Sequence, residues 1–221
     1  MKMLEGFKMN CFPLNRAIRI SVALPKEYNN TPRYYPVIYF LDGQNLYKDE
    51  DSYRGSSLDL EHTIEKLSEE GKEAIYIGIA AASHPERREI EYNDTSLADF
   101  IINSIHPYLS SRYRMNNYIY SFACSTACYT ALALAQSEIF KGVLLISPIV
   151  DIAKIQALAI QPNILSYIDV SNTEENGSCL QSAHSIQTIL PDTKVVLDER
   201  TEHTEAAWKT RVFDALSYLV L

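Results

Sequence analysis

Tyr118-Ile119-Tyr120-Ser121-Phe122-Ala123-Cys124-Ser125-Thr126-Ala127 is the stretch on which the reading of this chain turns. Its first half is aromatic and β-branched, the make-up of a strand, and helix-forming residues take over after Ser125. A sharp strand-to-helix turn that lifts one side chain out of a sheet needs small residues two before and two after its tip, because larger ones do not fit. Two registers meet that need. A tip at Ala123 is flanked by Ser121 and Ser125, and a tip at Ser125 is flanked by Ala123 and Ala127. A tip at Cys124 would force Phe122 into a small position, so Cys124 is a poor nucleophile candidate.

The same alternation of short apolar runs and helix-period segments continues on both sides. Strands are expected at 17–24, 36–41, 74–79, 118–122, 143–147, 167–170 and 194–197, and helices at 57–70, 96–111, 125–136, 179–190 and 205–219. Several of the strands are apolar almost throughout, as strands covered on both faces are. The fold class is therefore α/β, with a mostly parallel central sheet and helices on both faces. No repeat, low-complexity tract or linker interrupts it, and residues 1–221 read as one domain. The first strand is expected to run antiparallel and to form a hairpin with the next, through Leu24-Pro25 and the Asn29-Asn30-Thr31-Pro32 turn.

Charge narrows the function. The net charge is −8 with Lys and Arg scattered along the chain, and such a surface repels phosphates, so neither nucleic acid nor an anionic membrane is an expected partner. Met1 to Pro13 lacks the apolar centre of a signal peptide, and no apolar run approaches the ~18 residues of a membrane span. Cys11, Cys124, Cys128 and Cys179 form no CxxC pair, which points to reduced thiols and a cytoplasmic setting. His62, His84, His106 and His184 share no ligand spacing with Cys or carboxylates, so no metal site and no cofactor are expected.

In α/β sheets ligands bind beyond the C-terminal ends of the strands. One such end is Tyr39-Phe40-Leu41-Asp42-Gly43-Gln44-Asn45-Leu46-Tyr47, where the Asp-Gly turn leaves the amides of Gln44 and Asn45 able to donate to an oxyanion. A second is Glu202-His203-Thr204-Glu205, which places a histidine, the side chain most often used as a general base, after a strand and before the last helix. A third, Tyr167-Ile168-Asp169-Val170-Ser171-Asn172-Thr173-Glu174-Glu175, carries acidic residues just past a strand.

Together these segments resemble the putative-esterase (esterase D) family, which includes S-formylglutathione hydrolases, feruloyl esterases and enterochelin-esterase relatives. Leu24-Pro25-Lys26-Glu27-Tyr28 with Tyr35-Pro36-Val37-Ile38-Tyr39 is similar to its "LPxxY…YPVxY" opening. Asp42-Gly43-Gln44-Asn45-Leu46-Tyr47 is similar to "DGQNLF", Arg88-Glu89-Ile90-Glu91-Tyr92 to "RxxEY", and Glu202-His203-Thr204-Glu205-Ala206-Ala207-Trp208 to "EHNEAAW". The resemblance implies an α/β-hydrolase fold and hydrolysis of a small ester or thioester by a Ser-His-acid mechanism, without cofactor. It implies His203 as base, Glu174 as acid with Glu175 as the alternative, and the amides of Gln44 and Cys124 as the oxyanion hole.

The departure lies at the turn, where the family carries Gly-x-Ser-Met-Gly-Gly. Counting back without gaps from Ser137-Glu138-Ile139-Phe140 aligns Ser121 to Thr126 with that motif and puts the nucleophile position on Ala123. Choosing Ser125 instead shortens the following helix by two residues and turns its buried stripe by about 200°, so Ala123 is the preferred register and Ser125 the alternative nucleophile. An alanine there, natural or introduced, would make the chain a non-catalytic pseudoenzyme or small-molecule binding protein on an esterase scaffold. Two loops, 49–57 with Tyr53 and 149–162, are expected to border the acyl pocket. Oligomeric state is not legible.

Overall fold

The computed structural model describes residues 2–199 and 202–219. Eight strands form one sheet: β1 (Lys2–Cys11), β2 (Arg16–Leu24), β3 (Tyr35–Leu41), β4 (Ile75–Ile79), β5 (Met115–Cys124), β6 (Gly142–Ile146), β7 (Leu165–Ser171) and β8 (Lys194–Asp198). Their order is β1-β2-β4-β3-β5-β6-β7-β8, antiparallel for the β1/β2 and β2/β4 pairs and parallel for the rest. This is the mostly parallel α/β sheet that the sequence implies. β3 shows why it forms. Every one of its residues is buried, and its alternate side chains feed two separate cores, Val37, Tyr39 and Leu41 on one face and Ile38 and Phe40 on the other.

On the Tyr39 face pack α3 (Ser96–Phe100), a π-helical turn (Ile101–Ile105), α5 (Cys128–Leu134), α6 (Ile152–Gln156) and α7 (Ser178–Ile189), followed in chain order on the Phe40 face by α8 (Glu205–Trp208) and α9 (Val212–Ser217). α1 (Leu60–Glu69) joins the Phe40 face, while α2 (Pro85–Tyr92) and α4 (His106–Ser110) complete the helices. The segment expected as one helix over 96–111 is split because Pro107 has no amide to donate and crowds the preceding turn, and the widened π turn directly before it accommodates the loss. The helix expected over 205–219 is likewise broken, between Trp208 and Val212.

One expected pairing is corrected, and two elements appear that the sequence pattern did not mark. β2 does not pair with β3; its neighbours are β4 and β1, and the hairpin is β1/β2. β1 escapes the sequence pattern because a bulge between Leu4 and Phe7 interrupts its alternation. α2 escapes it because a helix reading Pro-Glu-Arg-Arg-Glu-Ile-Glu-Tyr buries only Glu91 and Tyr92 and so carries no apolar stripe.

The turn after β3 is held down by contact between two glycines. Positive φ falls on Asp42 (φ 55°) and not on Gly43; Gly43 is needed for space. A Cβ on Gly43 would lie 2.5 Å from the carbonyl carbon of Gly78 and 2.6 Å from the amide of Ile79. Gly43→Ala is therefore expected to cost about 2–3 kcal/mol by overpacking against backbone, seen as a lower urea midpoint. Gly71→Ala, at φ +75° with open space around it, should cost only about 1 kcal/mol, and equal losses at the two positions would contradict the close-packing account.

Candidate active site

Ser125 occupies the tip of the strand-to-helix turn. β5 ends at Cys124, a 3₁₀ turn spans Ser125–Ala127, and α5 follows. Ser125 has φ +58°, a left-handed conformation that a serine holds only when its surroundings fix it. Its small neighbours are Ala123 and Ala127, both fully buried. The preferred register is thus corrected: Ala123 is a strand residue, paired with Leu145 of β6, and the turn tip lies two residues on. The phase argument for Ala123 supposed a helix with one buried stripe. All seven residues of α5 are buried, so rotating that helix by two residues exposes nothing.

The Ser125 hydroxyl meets a histidine. His203 Nε2 lies 2.8 Å from Ser125 Oγ, and His203 Nδ1 lies 3.0 Å from Glu174 Oε1. A carboxylate accepting from Nδ1 leaves Nε2 as the acceptor for the serine hydroxyl. His203 directly precedes Thr204, whose side chain caps α8 by accepting from the Ala207 amide. The Trp208 ring and the imidazole pack perpendicular to each other, with centroids 4.8 Å apart.

Glu174, which opens the 3₁₀ turn Glu174–Gly177 just past β7, is fully buried. It accepts from Ser147 Oγ at 2.7 Å and Trp208 Nε1 at 3.3 Å, and Arg211 Nη1 is 3.5 Å away. Burial pushes its carboxyl up, but the hydrogen bonds from His203, Ser147 and Trp208 and the Arg211 charge outweigh it and hold the group below its usual range. Glu175 is exposed and is not the carboxylate beside His203. Ser147, Trp208 and Arg211 carried no role in the sequence reading. Ser147, at φ +49° past the end of β6, accepts from Trp208 and Arg211 while donating to Glu174; a serine after an apolar strand was the available signal.

The Asp42–Tyr47 turn is wired to the same place. Arg88 donates to both oxygens of Asp42 and to Thr126 Oγ1 at 3.1 Å, and the Asp42 amide donates to the Tyr92 hydroxyl. Asn45 donates to the buried Glu205 and accepts from the Tyr53 amide. Gln44 sits in the 3₁₀ turn Gly43–Asn45 with its side-chain oxygen on the Ala81 amide. Cys124 is the last residue of β5, opposite Ile146, one residue before the tip. Both loops expected to border the site touch it: Arg54 reaches the His203 carbonyl and the Ile149 amide reaches the Ser125 carbonyl. Glu174, Cys179 and His203 bring three potential metal ligands within 4.8 Å of one another, but the Glu174 and His203 atoms concerned are already engaged with each other, with Ser147 and with Ser125.

Solved structures share this architecture. A ferulic acid esterase superposes with a TM-score of 0.75 over 98% of this chain and 97% of its own, at 15% identity. A ferulic acid esterase from Anaeromyces mucronatus, solved with ferulic acid, gives 0.73 over 97% and 89% at 18% identity. The enterochelin esterase of Shigella flexneri gives 0.76 over 96% of this chain and 56% of that one, at 12% identity. At such identities the likeness is one of fold. No curated protein matches the sequence. The family model described as "Putative esterase" matches residues 13–218, nearly the whole length, and the chain therefore belongs to the putative-esterase family.

Proposed function

We propose that this chain is a serine carboxylic-ester hydrolase in which Ser125 is the nucleophile, His203 the general base and acid, and Glu174 the orienting carboxylate. The observation that carries the reading is the unbroken line from Ser125 Oγ through both nitrogens of His203 to Glu174, at 2.8 and 3.0 Å, with the serine at positive φ on the turn. Ser125 Oγ attacks the ester or thioester carbonyl carbon as His203 Nε2 takes its proton. The tetrahedral oxyanion is held by the amide of Gln44 and by the amide following the nucleophile, which is Thr126 and not Cys124 once the tip is Ser125. His203 then returns the proton to the leaving alcohol or thiol, and water repeats the cycle on the acyl-enzyme.

The pseudoenzyme alternative drew its motive from a missing hydroxyl at 123, and Ser125 supplies one. Four buried free thiols support a reducing, cytoplasmic setting. Among the described residues no helix is long and apolar enough to cross a membrane.

Ser125→Ala should lower hydrolysis of 4-nitrophenyl acetate by about 10⁴-fold or more, and a fluorophosphonate should add to the parent at Ser125 and not to the variant. Ala123→Ser should gain no adduct at 123. Full turnover by Ser125→Ala would overturn the assignment.

Glu174→Gln should cut kcat on the order of 10⁴-fold by losing control of the imidazole tautomer. It should also change the acid limb of stability. Because the folded carboxyl titrates below its ordinary value of 4.5, its contribution is complete above that value and is lost as pH falls through the lowered one. Denaturant titrations from neutrality down to about pH 3 should show a shallower decline in the variant than in the parent; parallel declines would remove Glu174 from the account.

A further inference from the structure

Four cations of this acidic chain line one cavity that reaches Gln44. A cavity of about 840 Å³ is lined by Lys8, Arg16, Arg19 and Arg87, with Asp51 as its only lining acid among the described residues. A neighbouring cavity of about 460 Å³ shares Arg19, Gln44, Asp51 and Ala80 with it and adds Lys48, so the two form one trough running past Gly43. Such a concentration in a chain of net charge −8 is a local field of the opposite sign to the whole.

The charges are not balanced within the trough. Arg16 and Arg87 share a single carboxylate, Glu91, at 2.7 and 3.2 Å. Lys8 and Arg19 stand directly opposite each other in the β1/β2 pair, both exposed, and among the described residues neither side chain has an ion-pair partner. Like charges face to face across a sheet repel one another. The N-terminus of α2 opens on the same trough at Ser83 and His84, with no side chain capping its amides, and adds its positive end.

The trough also abuts the chemistry. Gln44, whose amide is the proposed oxyanion donor, lines it, and so does Tyr53. The residues next to two of its walls tie it to the turn and to the histidine segment: Arg88, beside Arg87, bonds the Thr126 hydroxyl, and Arg54, beside Tyr53, bonds the His203 carbonyl.

We infer that this trough is an anion subsite, and that the ester hydrolysed at Ser125 carries a carboxylate on the part lying beyond Gln44, held between Lys8 and Arg19. The inference rests on the esterase reading for the reacting end of the substrate; the charged end is read from the trough alone.

The test compares the 4-nitrophenyl half-ester of adipic acid with 4-nitrophenyl hexanoate, equal in chain length and different in charge. The parent should prefer the half-ester in kcat/KM by roughly tenfold at low ionic strength, and the preference should shrink in 0.5 M NaCl through screening, with ~0.5 M lying well beyond the physiological range. The double variant Lys8→Gln/Arg19→Gln should lower that preference at least fivefold through KM, while Lys194→Gln, a cation on the far edge of the sheet, should leave it unchanged. No preference in the parent, or a preference that survives the double variant, overturns the subsite. If the folded parent hydrolyses neither ester, the esterase reading fails, and calorimetric binding of adipate monomethyl ester judges the subsite separately: binding lost in the double variant supports it, and no binding to the parent overturns it.

Discussion

A guanidinium with no contact to water organises the end of this sheet that carries the proposed catalytic residues. Arg211 is fully buried, and an isolated cation in that position would cost several kcal/mol. Its counter-charges come from three places in the chain: Asp169 of β7 at 3.6 Å, Asp198 at the end of β8 at 3.6 Å and Glu174 at 3.5 Å, with Ser147 past β6 accepting at 2.9 Å. Satisfying one arginine therefore draws the C-terminal ends of three adjacent parallel strands together. The break between α8 and α9 delivers that arginine to the interior, and the same break sets Trp208 against Glu174 and His203. The orientation of the imidazole is a by-product of neutralising a buried charge.

Most of the sheet was legible because strands covered on both faces are written as near-continuous apolar runs, and seven of the eight strands carry that signature or a clear alternation. β1 and α2 were not legible for local reasons, a bulge in one and an absence of apolar stripe in the other. The residues that meet beside the turn were legible as a histidine and two glutamates past successive strand ends, and His203 and Glu174 are the pair in contact. Choosing Glu174 over Glu175 required knowing which of two neighbouring carboxylates turns inward. The register of the turn was misread on a physical premise that holds for most surface helices and not for α5, which has no exposed side. Locally the sequence had kept Ser125 open on the strength of Ala123 and Ala127, and the longer-range count displaced it.

The signature residues that looked like fingerprints act as ties between loops. Of Arg88, Glu91 and Tyr92, the first and last hold Asp42 from two directions, and Arg88 continues to Thr126. Glu91 anchors Arg16 at the start of β2. Asn45 and Glu205 link the turn after β3 to the helix after His203 across 160 residues of sequence. Each element bearing a proposed catalytic group is thus fixed to another such element, so the geometry belongs to the set and not to any one loop.

The helix behind the serine has no surface of its own. A segment enclosed on every side acquires its environment only when both sheet faces and the helices around it are in place, and it cannot fray or open by itself without disrupting the molecule. The unfavourable backbone angle at Ser125 is maintained by that enclosure. The left-handed serine is accordingly a property of the complete cooperative unit, and a partly folded chain has no means of presenting it.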